Sequence, residues 1–307
     1  MTVDWTGVYA AATTEFHEDE SLDVAATKRH FERLIDGGIH GLVVMGTVGE
    51  GTSLEADEKR EVLRAGIEVA RGRVPVVTGV AEYTTRGACR FAAEAEKLGA
   101  DGLMVLPGMV YKAQPHENIH HFRSVARASG LPIMVYNNPV SYGVDLKPAH
   151  IAELVHEPTI VAVKESSDDP RRITDLFNLV GDRFVLLGGV DDLALESILL
   201  GAQGWVSGLV NAFPEENRLL WDHAVAGRWT EALEIYRWYT PLLHLDTLTT
   251  LVQCIKLANT EVGTGSETVR APRRLLAGAE REEVIRTIRA AIKTRPARAP
   301  TVGMAAR

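Results

Sequence analysis

Ile160-Val161-Ala162-Val163-Lys164-Glu165-Ser166-Ser167 is a continuous apolar run that ends on a lysine. A half-exposed strand would alternate polar and apolar side chains. An unbroken run is the pattern of a parallel strand covered on both faces. In a barrel of such strands the carboxyl ends form the active-site face, which is where Lys164 would stand. Partial burial there would lower the pKa of its amine and supply a neutral nucleophile for attack on a carbonyl. The alternative is a lysine whose stem lies along apolar surface while its head pairs with Glu165 or Asp168. The strand alone does not separate the two readings.

The same rhythm extends in both directions. Apolar runs at 41–45, 74–79, 102–106, 132–136, 183–187 and 204–206 read as strands, with a less apolar one at 6–10. Between them, amphipathic patterns predict helices over 23–36, 53–70, 85–98, 115–129, 147–155, 169–180, 191–200 and 213–225. Thr52-x-x-Glu55 fits a capping box, and Gly99 fits a helix C-cap. A strand–helix unit repeated about eight times predicts an α/β fold, a (β/α)8 TIM barrel, over residues 1–225. Even strand spacing and the lack of an early Gly-x-Gly-x-x-Gly disfavour a doubly wound open sheet. Past 226 the strand signals stop. Helical patterns at 228–245, 247–260 and 280–293 predict a C-terminal helical extension over 226–293, followed by a disordered tail over 294–307.

Charge and composition exclude several classes of function. The net charge is −8 with both signs interspersed, which argues against a nucleic-acid partner. No apolar run reaches the roughly 20 residues that span a bilayer, and polar residues from Asp4 onward interrupt any signal-peptide pattern. A cytoplasmic protein is expected. Cys89 and Cys254 are far apart within helical patterns and read as free thiols. His116, His120 and His121 share one predicted helix, but no third ligand matches them, so no metal site is expected. Neither a Walker motif nor a zinc pattern is present.

Other strand ends carry chemistry beside Lys164. The fifth predicted strand ends Tyr136-Asn137-Asn138-Pro139. Neighbouring strands lie about 4.8 Å apart, so the Tyr136 phenol would reach an imine carbon held by Lys164 and could move protons there. An aromatic cap on the barrel mouth followed by a plain turn is the alternative. The second strand ends Gly46-Thr47-Val48-Gly49-Glu50-Gly51, where backbone amides can approach a carboxylate and Thr47 can bond that carboxylate or Tyr136. Most glycine-rich turns only reverse the chain. The seventh and eighth strands end Gly188-Gly189-Val190-Asp191 and Val206-Ser207-Gly208, whose glycines could leave room for a substrate chain, and ordinary βα loops explain them equally well. In His244-Leu245-Asp246-Thr247, Asp246 and Thr247 read as helix caps.

These motifs resemble the superfamily of dihydrodipicolinate synthase and N-acetylneuraminate lyase. Gly46-Thr47-Val48-Gly49-Glu50 resembles its Gly-[Thr/Ser]-x-Gly-Glu turn, Tyr136-Asn137-Asn138-Pro139 its Tyr-Asn-x-Pro motif, and Val163-Lys164-Glu165-Ser166-Ser167 its Schiff-base strand. The resemblance covers about residues 5–292. It implies that Lys164 forms the imine, that Tyr136 shuttles protons, and that Thr47 orients Tyr136. It places a carboxylate near Thr47 and the Val48 amide, with Gly49, Asn138, Gly189, Val206 and Ser207 also lining the substrate site. It further implies a homotetramer with no metal or organic cofactor.

Departures from the pattern bear on substrate. Ser141 stands where the synthases carry an arginine for a second carboxylate. Met109 stands at their relay tyrosine, with Tyr111 displaced, and Val48 replaces a second hydroxyl. Dihydrodipicolinate synthesis is therefore disfavoured. The Tyr136–Asp145 stretch, His244-Leu-Asp-Thr and Leu251–Leu257 are more similar to Δ1-pyrroline-4-hydroxy-2-carboxylate deaminases of hydroxyproline catabolism. The expected reaction converts that cyclic imine to 2-oxoglutarate semialdehyde and ammonia. A 2-oxo-3-deoxypentonate dehydratase or a pyruvate-dependent aldolase is the alternative within the superfamily. A catalytically silent barrel that senses a small 2-oxo acid or cyclic imine is the alternative outside enzymes.

Overall fold

The computed structural model of the protein describes residues 3–296. Among them, eight parallel strands close into a barrel in chain order: β1 (Gly7–Ala11), β2 (Gly41–Val44), β3 (Val76–Val80), β4 (Gly102–Val105), β5 (Ile133–Asn137), β6 (Ile160–Glu165), β7 (Val185–Gly188) and β8 (Gly204–Ser207). β8 returns to β1 with Val8 opposite Trp205 and Ala10 opposite Ser207. The fold is the expected TIM barrel. The unbroken apolar runs follow from it, because the inner face of each strand packs in the barrel and the outer face packs under helices. All six residues of β6 are buried.

Local chemistry sets the helix limits. Asp23 accepts from the Ala26 amide at 2.8 Å and starts the helix Val24–Asp36. Gly99, at φ +94°, ends the helix Thr85–Leu98 in a left-handed conformation that favours glycine. The helix expected from residue 53 begins instead at Ala56. Glu55 is its N-cap, and the Glu58 carboxylate reaches back to the Glu55 amide at 2.8 Å. The box lies three residues later than expected because Gly51–Ser53 forms a tight 3-10 turn pressed onto the barrel. A Cβ on Gly51 would lie 2.1 Å from the Met45 carbonyl oxygen.

Three further helices, Trp229–Leu243, Leu251–Glu261 and Gly278–Lys293, follow the barrel. They join it through an aromatic cluster in which Phe213 meets Trp238 and Tyr239 edge-on, with both ring centroids at 5.8 Å. The Tyr239 hydroxyl donates to Asn217 at 2.5 Å, and Asn217 donates to the Ser207 hydroxyl on β8 at 2.8 Å. Arg295 bonds Glu216 and lies over Phe213 at 5.3 Å. The expected tail is therefore packed as far as Arg295, because a barrel carboxylate and a ring hold that guanidinium. Residues 297–307 of that tail lie outside the described residues. No helix among the described residues is long and apolar enough to cross a membrane.

The deepest tie between the helices and the barrel is ionic. Lys256 is fully buried, with its Nζ 2.8 Å from Glu50 Oε1 and donating to the Thr268 carbonyl at 2.6 Å. Glu50 closes the turn after β2, so the pair clamps that turn to the helix Leu251–Glu261. Removing one partner of a buried pair leaves the other charge uncompensated, at a cost of about 3–5 kcal/mol. Lys256→Met should therefore lower the thermal denaturation midpoint clearly. A change below about 1 kcal/mol, the range of an exposed pair, would show that the clamp does not stabilise the fold.

Candidate active site

Parallel pairing brings the first two candidate side chains together. Tyr136 on β5 lies opposite Lys164 on β6. The Lys164 Nζ sits 4.2 Å from the centroid of the Tyr136 ring, and both residues are about 95% buried (exposures 5% and 4%). Pairing of Lys164 with Glu165 fails on strand geometry, since successive side chains point to opposite faces. Glu165 instead accepts from Asn137 Nδ2 at 3.1 Å, and burial pushes its carboxyl above the usual range. Asp168 is exposed on the rim in a left-handed conformation, φ +60°. Lys164 fits only because residue 189 is glycine. A Cβ there would lie 2.5 Å from Lys164 Cε and 2.0 Å from Ser166 Oγ.

Asn138 Nδ2 donates to the Tyr136 hydroxyl at 3.0 Å, and Asn138 Oδ1 caps the turn Pro139–Tyr142 by accepting from the Ser141 amide at 2.9 Å. That turn corrects one expectation. Thr47 bonds the Tyr142 hydroxyl rather than Tyr136. The helical turn at Pro139 carries Tyr142 back over the mouth, where it meets Tyr136 edge-on at 5.9 Å and intercepts Thr47. Burial, then the neighbouring Tyr136, pushes the Tyr142 phenol far up, so it stays protonated. Sequence reasoning passed over Tyr142, although it lies only six residues beyond Tyr136 in the same quoted motif.

These groups surround a cavity of about 510 Å³, the size of a small-molecule site. Thr47, Val48, Tyr136, Asn138, Lys164, Gly189 and Val206 line it. Gly49 and Ser207 do not. Gly49 packs against the segment that follows β1, where its carbonyl accepts from Thr14 Oγ1 at 2.7 Å and a Cβ would lie 2.7 Å from the Ala12 carbonyl oxygen. Ser207 follows the inward Val206, so strand alternation turns it outward, and its hydroxyl donates to Asp191 at 3.1 Å. Asp246 corrects a further expectation. It caps no helix but stands on a 3-10 turn (His244–Thr247) and lines the cavity. Arg273 also reaches the wall, with its Nη1 donating to Ser53 Oγ at 3.0 Å.

Met109 lines the cavity, whereas Tyr111 is 65% exposed and donates to Glu117 at 3.1 Å, outside it. His121 is a core histidine, with its ring nitrogens within hydrogen-bond distance of Thr85 Oγ1 and the Leu106 carbonyl. Among the described residues no group of three or more His, Cys, Asp or Glu is placed to hold a metal ion. Cys89 and Cys254 are free thiols.

A buried lysine over a tyrosine at the carboxyl ends of β5 and β6 is matched at the level of the whole chain. The model of the dihydrodipicolinate synthetase family matches residues 4–291. The chain belongs to that family. It is a class I aldolase-type lyase on a TIM barrel. A 4-hydroxy-tetrahydrodipicolinate synthase of Acidiphilium cryptum is 34% identical over 91% of this chain and 95% of its own length. One of Xanthomonas campestris pv. campestris is 38% identical over 75% of this chain and 78% of its own length. A dihydrodipicolinate synthase of Acinetobacter baumannii, solved in complex with pyruvate, superposes with a TM-score of 0.89 at 27% identity, covering 93% of this chain and 98% of that one.

Gly189→Ala should displace Lys164 while leaving the barrel folded. A misplacement of about 1 Å costs on the order of 100-fold in rate, so turnover should fall to that extent with circular dichroism unchanged. Wild-type turnover in this variant would mean that the Lys164 position is not set by Gly189.

Proposed function

We propose that Lys164 forms a Schiff base with a 2-oxo acid or its cyclic imine, and that the substrate is Δ1-pyrroline-4-hydroxy-2-carboxylate. The observation that carries the imine is the Lys164 Nζ, held over the Tyr136 ring on the cavity wall in a family of lyases. The substrate carboxylate would lie at Thr47 and the Val48 amide. Lys164 attacks C2, and transimination opens the ring. The iminium acidifies the C3 proton, which Tyr136 or a water it holds removes, and the C4 hydroxyl then leaves. Tautomerisation gives a terminal imine; its hydrolysis releases ammonia, and a second water hydrolyses the C2 imine, which frees Lys164 and 2-oxoglutarate semialdehyde. Lysine is the electron sink throughout, so the chemistry calls for no metal or organic cofactor.

The cavity wall supports a substrate with one carboxylate. Ser141 offers no cation where a second carboxylate would need one, Val48 is apolar, and the Arg273 guanidinium is engaged by Ser53 and lies 3.6 Å from Glu50. A second reading, 4-hydroxy-tetrahydrodipicolinate synthesis, is favoured by the names of the relatives. Ser141 and Met109 speak against it. A homotetramer is part of the proposal. Val110, Tyr111 and Tyr83 on loops and Val140 on the turn Pro139–Tyr142 are exposed large side chains, a pattern that suits burial between subunits.

Borohydride reduction with mass spectrometry tests the reading. Incubation with the pyrroline, with 2-oxo-3-deoxypentonate and with pyruvate should each give an adduct on the Lys164 peptide, and ammonia should appear only with the pyrroline. Adducts without ammonia would move the reaction to the dehydratase or aldolase. No adduct would sink the imine. Tyr136→Phe should keep the adduct and lose about 100-fold or more in turnover, the usual range for a proton-transfer group. Unchanged turnover would remove Tyr136 from the mechanism.

A further inference from the structure

The proposed elimination needs a proton donor at the departing C4 hydroxyl, and Tyr136 and Lys164 are already occupied at C2 and C3. Asp246 is a further ionisable group on the same cavity wall, on the side of β7 and β8. Its position comes from close packing. Asp246 leans over Gly208, where a Cβ would lie 2.4 Å from Asp246 Oδ1, and the backbone N–H of Asp191 donates to it. No other residue type at 208 would leave the carboxyl in that place.

The neighbouring Asp191 shows by contrast which acid is available. It is completely buried, and four donors saturate its carboxylate: Trp205 Nε1 at 2.9 Å, Ser207 Oγ at 3.1 Å, and the amides of Gly208 at 3.1 Å and Leu209 at 2.8 Å. A carboxylate has about four acceptor positions, so Asp191 is committed to holding the loop after β8. Burial raises its pKa to about 6, with those hydrogen bonds opposing the rise. Burial, and then the Asp191 charge, push the Asp246 carboxyl well above the usual carboxylate range, with Lys164 opposing. Asp168, also on the wall, is exposed on the rim.

We propose that Asp246 is the acid that protonates the leaving hydroxyl, an inference that rests on the Lys164 imine and on a substrate with a C4 hydroxyl. In the enamine, the nitrogen pair forms the C2=N bond, the C2=C3 pair moves to C3=C4, and the C4–O bond breaks with its pair on oxygen. Asp246 gives that oxygen its proton, and water leaves. The Asp246 carboxylate then takes up the C5 proton as the conjugated iminium isomerises towards the terminal imine, which returns the residue to its acid form. No oxidant, reductant or further reactant is required.

Asp246→Asn tests this with two substrates. Pyruvate has no leaving group, so it reports imine formation and enamine chemistry alone, through borohydride trapping and deuterium exchange of its methyl protons. The variant should keep trapping and exchange within about threefold of wild type while ammonia release from the pyrroline falls about 100-fold or more. Asp246→Glu should recover part of that loss. Ammonia release within about threefold of wild type in Asp246→Asn overturns the proposal. Loss of trapping and exchange together with turnover also overturns it, because Asp246 would then support Lys164 rather than act after the imine. Failure of wild type itself to trap pyruvate or the pyrroline defeats the imine reading, an outcome seen before the variant is made.

Discussion

Closure of eight parallel strands in chain order sends every strand's carboxyl end to one rim. That constraint explains why residues far apart in sequence meet in one cavity. Tyr136 and Lys164 are register partners on β5 and β6, so their contact is as fixed as the backbone ladder between them. Gly189 and Val206 reach the same space from β7 and β8. Buried carboxylates around the barrel are held by named donors. Glu165 is bound by Asn137, and Asp191 is saturated by four donors.

The C-terminal helices complete the site as well as cover the barrel. The Lys256–Glu50 pair holds the turn that carries Thr47 and Val48. Arg273 and Asp246, from loops beside those helices, form part of the cavity wall. A substitution in the extension would therefore be felt at the site through two routes, the β2 turn and the Asp246 loop. Buried ion pairs of this kind contribute little net stability compared with an apolar replacement. Their value here is geometric, since both members must lie where they do for either charge to be tolerated.

The two acids beside β8 illustrate how environment divides similar groups. Asp191 and Asp246 are both carboxylic acids in a low-dielectric setting. The first is surrounded by N–H and O–H donors and serves the backbone, and the second faces a cavity with one amide as partner. Such pairs, pushed apart by their surroundings, recur where one group must hold a proton while the other keeps a charge.

The unbroken apolar strand runs, the helix rhythm, and the lysine and tyrosine at strand ends were legible in the amino-acid sequence. They are local patterns imposed by burial on both faces and by strand period. Helix starts were less legible, because the 3-10 turn at Gly51–Ser53 depends on contact with Met45 in the barrel. The partner of Thr47 was not legible, since the turn Pro139–Tyr142 must fold back before Tyr142 can intercept it. Nor were the outward roles of Gly49 and Ser207, which adjoin cavity residues in sequence and face other elements in space. Sequence by itself determined the barrel and the lysine at its mouth. Tertiary structure decided which polar groups stand beside that lysine, because Asp246, Arg273 and Tyr142 arrive through packing between segments that no local pattern relates.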